Sequence, residues 1–344
     1  MKKTVFILFT AIMLVSLFVG GVPLAMAQDG PQSGSVTAET MDVIAPADGS
    51  AELDRPIRIA ALKGPTAMGM VKLMDESANH ETGNSYEFTL AGAPDELTGR
   101  IIQGEFDIAA VPINLAATLY NKTGGKVSLA ALNTMGVLYI VEKGDTIHAF
   151  SDLKGKTVFA TGKGAVPEFS FQYLLAQNGL ADQVEMVYKS EHTELATLLA
   201  AGQAEIALLP QPFVTTVLVQ NKELRVALDL NEEWTKAAED GSGMVTGGII
   251  VQREFVDNHP EAFRSFLTEY ENSIDFVTDP VNAEAAANLI VDFGIIAKAE
   301  IAQKAIPECN IVFISGESMK NIADGFLKVL YDANPQSVGG QLPD

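Results

Sequence analysis

The sequence predicts an α/β fold of two lobes, each a mixed, mostly parallel sheet flanked by helices. Three observations carry this. Short apolar or β-branched runs alternate with helical patterns from Pro56 onward. A second series of the same kind begins at Val137. After Arg253 the chain is mostly helical, with almost no strands of its own to cover. Helices need an apolar partner surface, and the simplest one is the sheet of the first lobe. The expected threading is lobe 1 over residues 56–136, lobe 2 over 137–245, and lobe 1 again over 246–334. The crossings then fall near Asn133–Leu138 and Met244–Ile249, both apolar and glycine-containing.

In the first series, strands are expected at Ile57–Leu62, Tyr86–Ala91, Asp107–Val111 and Ser128–Leu132. Helices are expected at Ala67–Asp75, Pro94–Gln103 and Leu115–Asn121, with proline opening the second. The next series places strands at Val137–Val141, Thr157–Ala160, Val184–Tyr188, Glu205–Leu209 and Leu224–Leu228. Its helices are Glu168–Gln177, stopped by Asn178-Gly179, then Thr193–Ala201 and Phe213–Gln220. Gly247–Val251 is one more strand. Helices follow at Pro260–Val277, Val281–Phe293, Ala299–Ala305 and Ser318–Tyr331, with Ile311–Ile314 the one strand-like run among them.

The two ends read differently. Lys2 and Lys3 precede an apolar run from Val5 to Val19; Gly20, Gly21 and Pro23 break it, and Ala25-Met26-Ala27 offers small residues for cleavage before Gln28. Residues 1–27 are therefore read as a secretory signal peptide. The alternative is an uncleaved membrane anchor, since the run is almost long enough to span. Residues 28–55, rich in Gly, Ser, Pro, Ala and acids, read as a flexible linker, and 335–344 as a loose tail.

Composition narrows the function classes. The 344 residues carry 44 acidic against 23 basic side chains, a net charge of −21, which argues against a phosphate-backbone partner. With one cysteine, Cys309, neither an intrachain disulfide nor a cysteine-cluster metal site is available. No zinc-protease helix, Gly-x-Ser-x-Gly elbow or evident triad is present, and no cofactor is expected. His192 has no second histidine at metal-ligand spacing, and His80, His148 and His259 read as loop residues.

Several segments resemble a known family. They are Lys63-Gly64-Pro65-Thr66, Gly104-Glu105-Phe106-Asp107-Ile108-Ala109 with Asn114, Asp152-Leu153-Lys154-Gly155-Lys156-Thr157-Val158, Ala200 to Ala207, and Leu209-Pro210-Gln211-Pro212-Phe213. Together they resemble the solute-binding subunits of ABC importers of the nitrate/sulfonate/taurine/thiamine-pyrimidine group, over residues 56–330. The resemblance implies a type II periplasmic-binding-protein clamshell that closes on a small polar organic or anionic solute. It also implies delivery to an ABC permease and its ATPase, location outside the cytoplasmic membrane, and a monomeric, non-catalytic protein. Membrane contact would then run only through the permease or an uncleaved N-terminal anchor. No cysteine follows the signal, as a lipoprotein would require, and the lone Cys309 does not match the clustered cysteines of related pyrimidine synthases. An enzyme of the same fold, or a ligand-sensing receptor subunit, is the alternative.

Ligands of open α/β lobes sit at the carboxyl ends of strands, where helix N-termini present unpaired N–H groups. That rule selects Gly64, Pro65, Thr66 and Ala67 after the first strand, with Thr66 a hydroxyl donor or a helix cap. It also selects Asn114, as a cap or a solute contact, while Asn133 and Thr134 are selected as hinge residues where the chain leaves lobe 1, with an ordinary turn as the alternative. In the second lobe it selects Gly162, Lys163, Gly164 and Ala165, a loop that matches neither nucleotide-binding glycine pattern. Gln211 and Phe213 follow the strand at Glu205–Leu209, and Thr246 and Gly247 lie on the return crossing. Phe169, Phe171, Tyr188 and Phe213 are the candidate aromatic walls for a pyrimidine.

Overall fold

The computed structural model of the chain describes residues 53–238 and 242–344. The residues read as a signal peptide, 1–27, and all but the last three of those read as a linker lie outside them. Two sheets organise the described chain. The first contains β1 (Ile57–Leu62), β2 (Tyr86–Ala91), β3 (Ile108–Pro112), β4 (Val127–Met135), β10 (Val245–Gln252) and β11 (Ile311–Ile314), in the order β11-β4-β10-β3-β1-β2. The second contains β5 (Leu138–Lys143), β6 (Thr157–Ala160), β7 (Glu185–Tyr188), β8 (Ile206–Pro210) and β9 (Leu224–Asp229), in the order β7-β6-β8-β5-β9. β1 pairs parallel with β2 and β3, and β6 parallel with β7 and β8. β10 and β5, the strands that enter after a crossing, pair antiparallel on both sides. Each sheet is thus parallel in one half and antiparallel in the other, with the same plan repeated.

Helices α1 (Pro65–Met68), α2 (Val71–Ala78), α3 (Asp95–Ile102) and α4 (Ile113–Thr123) connect the first strands. In the second series come α5 (Val166–Gln177), α6 (His192–Ala200), α7 (Phe213–Gln220) and α8 (Leu230–Ala237). The C-terminal part supplies α9 (Arg253–Asn258), α10 (Pro260–Thr278), α11 (Ala283–Asp292), α12 (Ala299–Ala305) and α13 (Gly316–Ala333). α10, α11 and α12 cover the first sheet: Phe266, Tyr270, Ile274, Ala286, Ile290 and Ile301 join a core with Ile57, Ile59 and Ile249.

Three differences from the sequence reading have identifiable causes. The helix expected at Ala67–Asp75 is broken at Gly69-Met70, where the Ser273 hydroxyl donates to the Gly69 carbonyl at 2.7 Å and accepts from Leu73 N–H at 3.1 Å. α8 was not foreseen; Asp229 caps it by accepting from Asn231 N–H at 2.8 Å. The segment read as a loose tail is docked. Its 3-10 turn Pro335–Val338 buries Ser337 and Val338, and Asn121 Nδ2 donates to Val338 O at 3.0 Å and Gln341 O at 2.7 Å. Gly339, at φ +84°, lets this strap approach the backbone of α4; a Cβ there would lie 2.9 Å from Thr118 Cα.

α13 packs against β4 and β10 of the first sheet and against α5 and α8 of the second series. Phe326 meets Trp234 of α8 with ring centroids 4.9 Å apart, and Trp234 meets Tyr173 of α5 at 4.9 Å. Far from this seam, Asp107 anchors the start of the first sheet: it accepts from Arg55 at 2.6 and 2.8 Å and from the Arg58 side chain at 2.9 and 3.2 Å. No helix among the described residues is long and apolar enough to cross a membrane.

Candidate functional site

The carboxyl ends of β1, β2 and β3 face those of β6, β7 and β8 across a cleft of about 580 Å³. The first sheet and its helices contribute Lys63, Pro65, Thr66, the loop Gly92–Glu96, Pro112 and Thr246. The second contributes Leu138, Thr161–Lys163, Ala165–Pro167, Tyr188–His192 and Pro210. Helix starts therefore converge from both sides: α1 and α3 from one, α5 and α6 from the other. None of these four carries an N-cap side-chain hydrogen bond.

A glutamate four residues on answers part of that need at three of the starts. Glu96 accepts from Gly92 and Ala93 N–H at 2.9 and 2.7 Å, Glu168 from Gly164 N–H at 2.5 Å, and Glu194 from Ser190 N–H at 3.3 Å. α1 has no acid in its first turn. Thr246 from the first half and Tyr188 from the second line the cleft, with their hydroxyl oxygens themselves buried from it and the Tyr188 phenol near the Glu168 carboxylate. Burial, reinforced by the nearby Glu168 carboxylate, pushes the Tyr188 phenol above its usual range, so it stays a donor. The imidazole of His192 lies 5.0 Å from the Phe213 ring, and burial holds its pKa down at about 4. It is therefore neutral at pH 7, with Nδ1 hydrogen-bonded to Thr161 Oγ1 at 2.5 Å. Lys63, Lys163 and Lys189 line the cleft against Asp95, Glu96 and Glu191.

Of the residues selected from the sequence, Pro65, Thr66, Gly162, Lys163, Ala165 and Thr246 line this cleft. The others lie behind its walls. Gly64, at φ +132°, turns the chain into α1, and Ala67 is fully buried beneath it. Thr66 does not cap that helix; its hydroxyl donates back to Leu62 O at 2.9 Å. Asn133 donates to Thr66 O at 3.1 Å and its Oδ1 accepts from the buried Thr134 hydroxyl at 3.2 Å, so this pair supports α1 from below. Gln211 is occupied by Thr215, accepting from its N–H at 3.1 Å and its hydroxyl at 2.9 Å. Phe213 belongs to the core around Leu195 and Val214. Gly247 pairs with Pro112 inside the first sheet, while Asn114 and Gly164 bond to each other behind the cleft wall.

The sequence reading passes over the loops Gly92–Glu96 and Lys189–His192 as sites, having selected only Tyr188 at the end of β7. Both follow edge strands, β2 and β7, and the strand-end rule applied to those two ends would have found them.

Residues 72–296 match the family described as ABC transporter, phosphonate, periplasmic substrate-binding protein, which is more than half of the chain. An ABC transporter structure from Parabacteroides distasonis is similar at 26% identity and TM-score 0.69, covering 85% of this chain and 97% of that one. Two others share the fold at lower identity. The alkanesulfonate-binding protein SsuA from Xanthomonas axonopodis pv. citri, bound to MOPS, has 14% identity and TM-score 0.65, covering 86% and 96%. The periplasmic nitrate-binding protein NrtA from Synechocystis PCC 6803 has 12% identity and TM-score 0.58, covering 82% and 84%. No curated sequence matches.

Proposed function

The chain belongs to the ABC-transporter phosphonate periplasmic substrate-binding protein family, and we propose that its cleft captures a small organic oxyanion, a phosphonate or sulfonate, for delivery to a permease. The observation that carries this reading is the convergence on one cleft of Lys63 from one wall and Lys163 and Lys189 from the other, beside helix starts that carry no side-chain cap. A ligand oxyanion gains charge-assisted hydrogen bonds from lysines on both walls at once. Such a ligand bridges the two walls only when the cleft is closed, so binding favours that state.

A pyrimidine is less well served. Of the four aromatic side chains considered for stacking, only Tyr188 lines the cleft; Phe171 and Phe213 are buried in cores and Phe169 packs against one. In the reading proposed, the protein is exported by its N-terminal signal, acts as a monomer, and leaves energy coupling to the ATPase of its transporter.

Thermal melting against methylphosphonate, ethylphosphonate, methanesulfonate, taurine, nitrate and a hydroxymethylpyrimidine tests this. A ligand at a hundredfold its Kd stabilises by about 2.7 kcal/mol, a shift of about 5 °C. The phosphonates or sulfonates are expected to give it, and Lys163→Ala to reduce it. A shift with the pyrimidine alone, or none with any compound, overturns the solute assignment, and turnover of a bound compound moves the chain to the enzyme class.

A further inference from the structure

We propose that Asn114 is a positioning residue: it ties the glycine loop of the second lobe to the C-terminal strap, so that the strap helps to shape the cleft without touching its contents. Asn114 opens α4 and is 1% exposed. It does not line the cleft. Its side-chain amide spends its two hydrogens on two backbone carbonyls from opposite directions: Gly164 O at 3.2 Å, in the loop between β6 and α5, and Ser337 O at 3.1 Å, in the strap. Its Oδ1 is buried with no partner. The two donated bonds alone therefore fix the amide, and the flipped amide would set an oxygen against both carbonyls.

Both ends of this link are held. Gly162, Lys163 and Ala165, on either side of Gly164, line the cleft. Ser337 is fixed through its own hydroxyl to Leu330 O at 3.1 Å, and the strap beyond it through Asn121 to Val338 O and Gln341 O. The chain of contacts from strap to Asn114 to glycine loop is contiguous, and it crosses from one half of the molecule to the other. The link carries the proposed solute site only in its consequence; the contacts stand without it.

Hydrogen exchange on the ligand-free full chain tests the link directly. Asn114→Ala removes both bonds. Asn121→Ala releases the strap while leaving every contact to the second lobe in place, and serves if the first variant folds poorly. In both, amides of residues 162–165 are expected to exchange about threefold to tenfold faster, the factor one neutral hydrogen bond supports, with β1 and β3 unchanged. Unchanged exchange at 162–165 in Asn121→Ala, with acceleration confined to 335–344, overturns the coupling, as does a uniform rise across the whole chain. A titration with methylphosphonate adds the functional arm: a faster off-rate in both variants supports the proposal, and unaltered dissociation refutes it. Failure of the wild-type protein to bind methylphosphonate bears on the solute assignment, whereas the exchange result decides the link.

Discussion

Gly247→Ala puts the packing beneath the cleft under direct test. Gly247 sits in β10 opposite Pro112, directly under the start of α1. A Cβ built there would lie 2.5 Å from Thr66 Cγ2 and 2.8 Å from Asn133 Oδ1, well inside contact distance. Neither neighbour can step aside freely. The Thr66 hydroxyl is bonded to Leu62 O, and the Asn133 amide is bonded to Thr66 O. Overpacking of this kind costs about 1–3 kcal/mol. For a chain of this size that lowers Tm by about 2–6 °C. The same methyl pushes Thr66 toward the cleft, and the misplaced hydrogen bonding is expected to weaken solute about threefold to tenfold. Gly99→Ala supplies the opposite sign. Gly99 lies in α3 with nothing within 4 Å of its Cβ position, so alanine there stabilises by about 0.5–1 kcal/mol. Differential scanning calorimetry of the two variants, with a titration of Gly247→Ala, is the assay. A Gly247→Ala protein that melts within a degree of wild type and binds as tightly would refute the reasoning.

Two pH effects occupy separate windows. Neutral His192 has a pKa of about 4 when folded against 6.5 for the free ring, so its contribution is complete above pH 6.5 and is lost as pH falls toward 4. The bound is about 3 kcal/mol, and His192→Gln is expected to flatten the Tm profile over that interval; an unchanged slope contradicts the buried neutral ring. Asp107 behaves as a carboxylate held low: burial opposes its charge, but the bonds from Arg55 and Arg58 prevail and bring it from 3.8 to about 2. Its contribution of about 2 kcal/mol is present above pH 3.8 and is lost as pH falls through 2. Asp107→Ala should destabilise by about 2–3 kcal/mol at pH 7, the lower side of what breaking a buried ion pair costs, because both arginines can still reach solvent. Urea melts at pH 7 read this value, and a loss below half a kcal/mol sinks the assignment.

How far the sequence could be read depended on whether burial was expressed as period or as partnership. β1, β2, β6 and β11 fall where their apolar runs begin and end, because each run is bounded by turn residues and buried on at least one side. α8 escaped notice because only Leu230 and Trp234 of its eight residues are buried, too few to show a period. The break at Gly69 depends on Ser273, two hundred residues away, and no local pattern could report it. The site shows the same division. Strand ends located the cleft at Pro65, Thr66, Gly162, Lys163 and Thr246. Yet Gln211, chosen at a strand end, and Asn133, Thr134 and Gly247, chosen on the crossings, turn their polar groups or close backbone approach inward to hold α1 and α7. A polar residue at a strand end answers either a ligand or a neighbouring helix, and only the packing says which. The strap is a related case: its Gly and Pro content read as looseness, while its order comes from Asn114 and Asn121 on another element.

The seam where α13 joins the second half carries the chain's only tryptophan. Trp234 is wholly shielded from solvent, donates through Nε1 to Ser242 O at 3.0 Å, and is flanked by Tyr173 and Phe326. Selective excitation of that one indole therefore gives an optical gauge built into the fold, with a single emitter and no label to attach. Any rotation of one jaw against the other that disturbs this aromatic triplet will register as a change in its colour or brightness, and opening could be timed in a stopped-flow cell on the native protein.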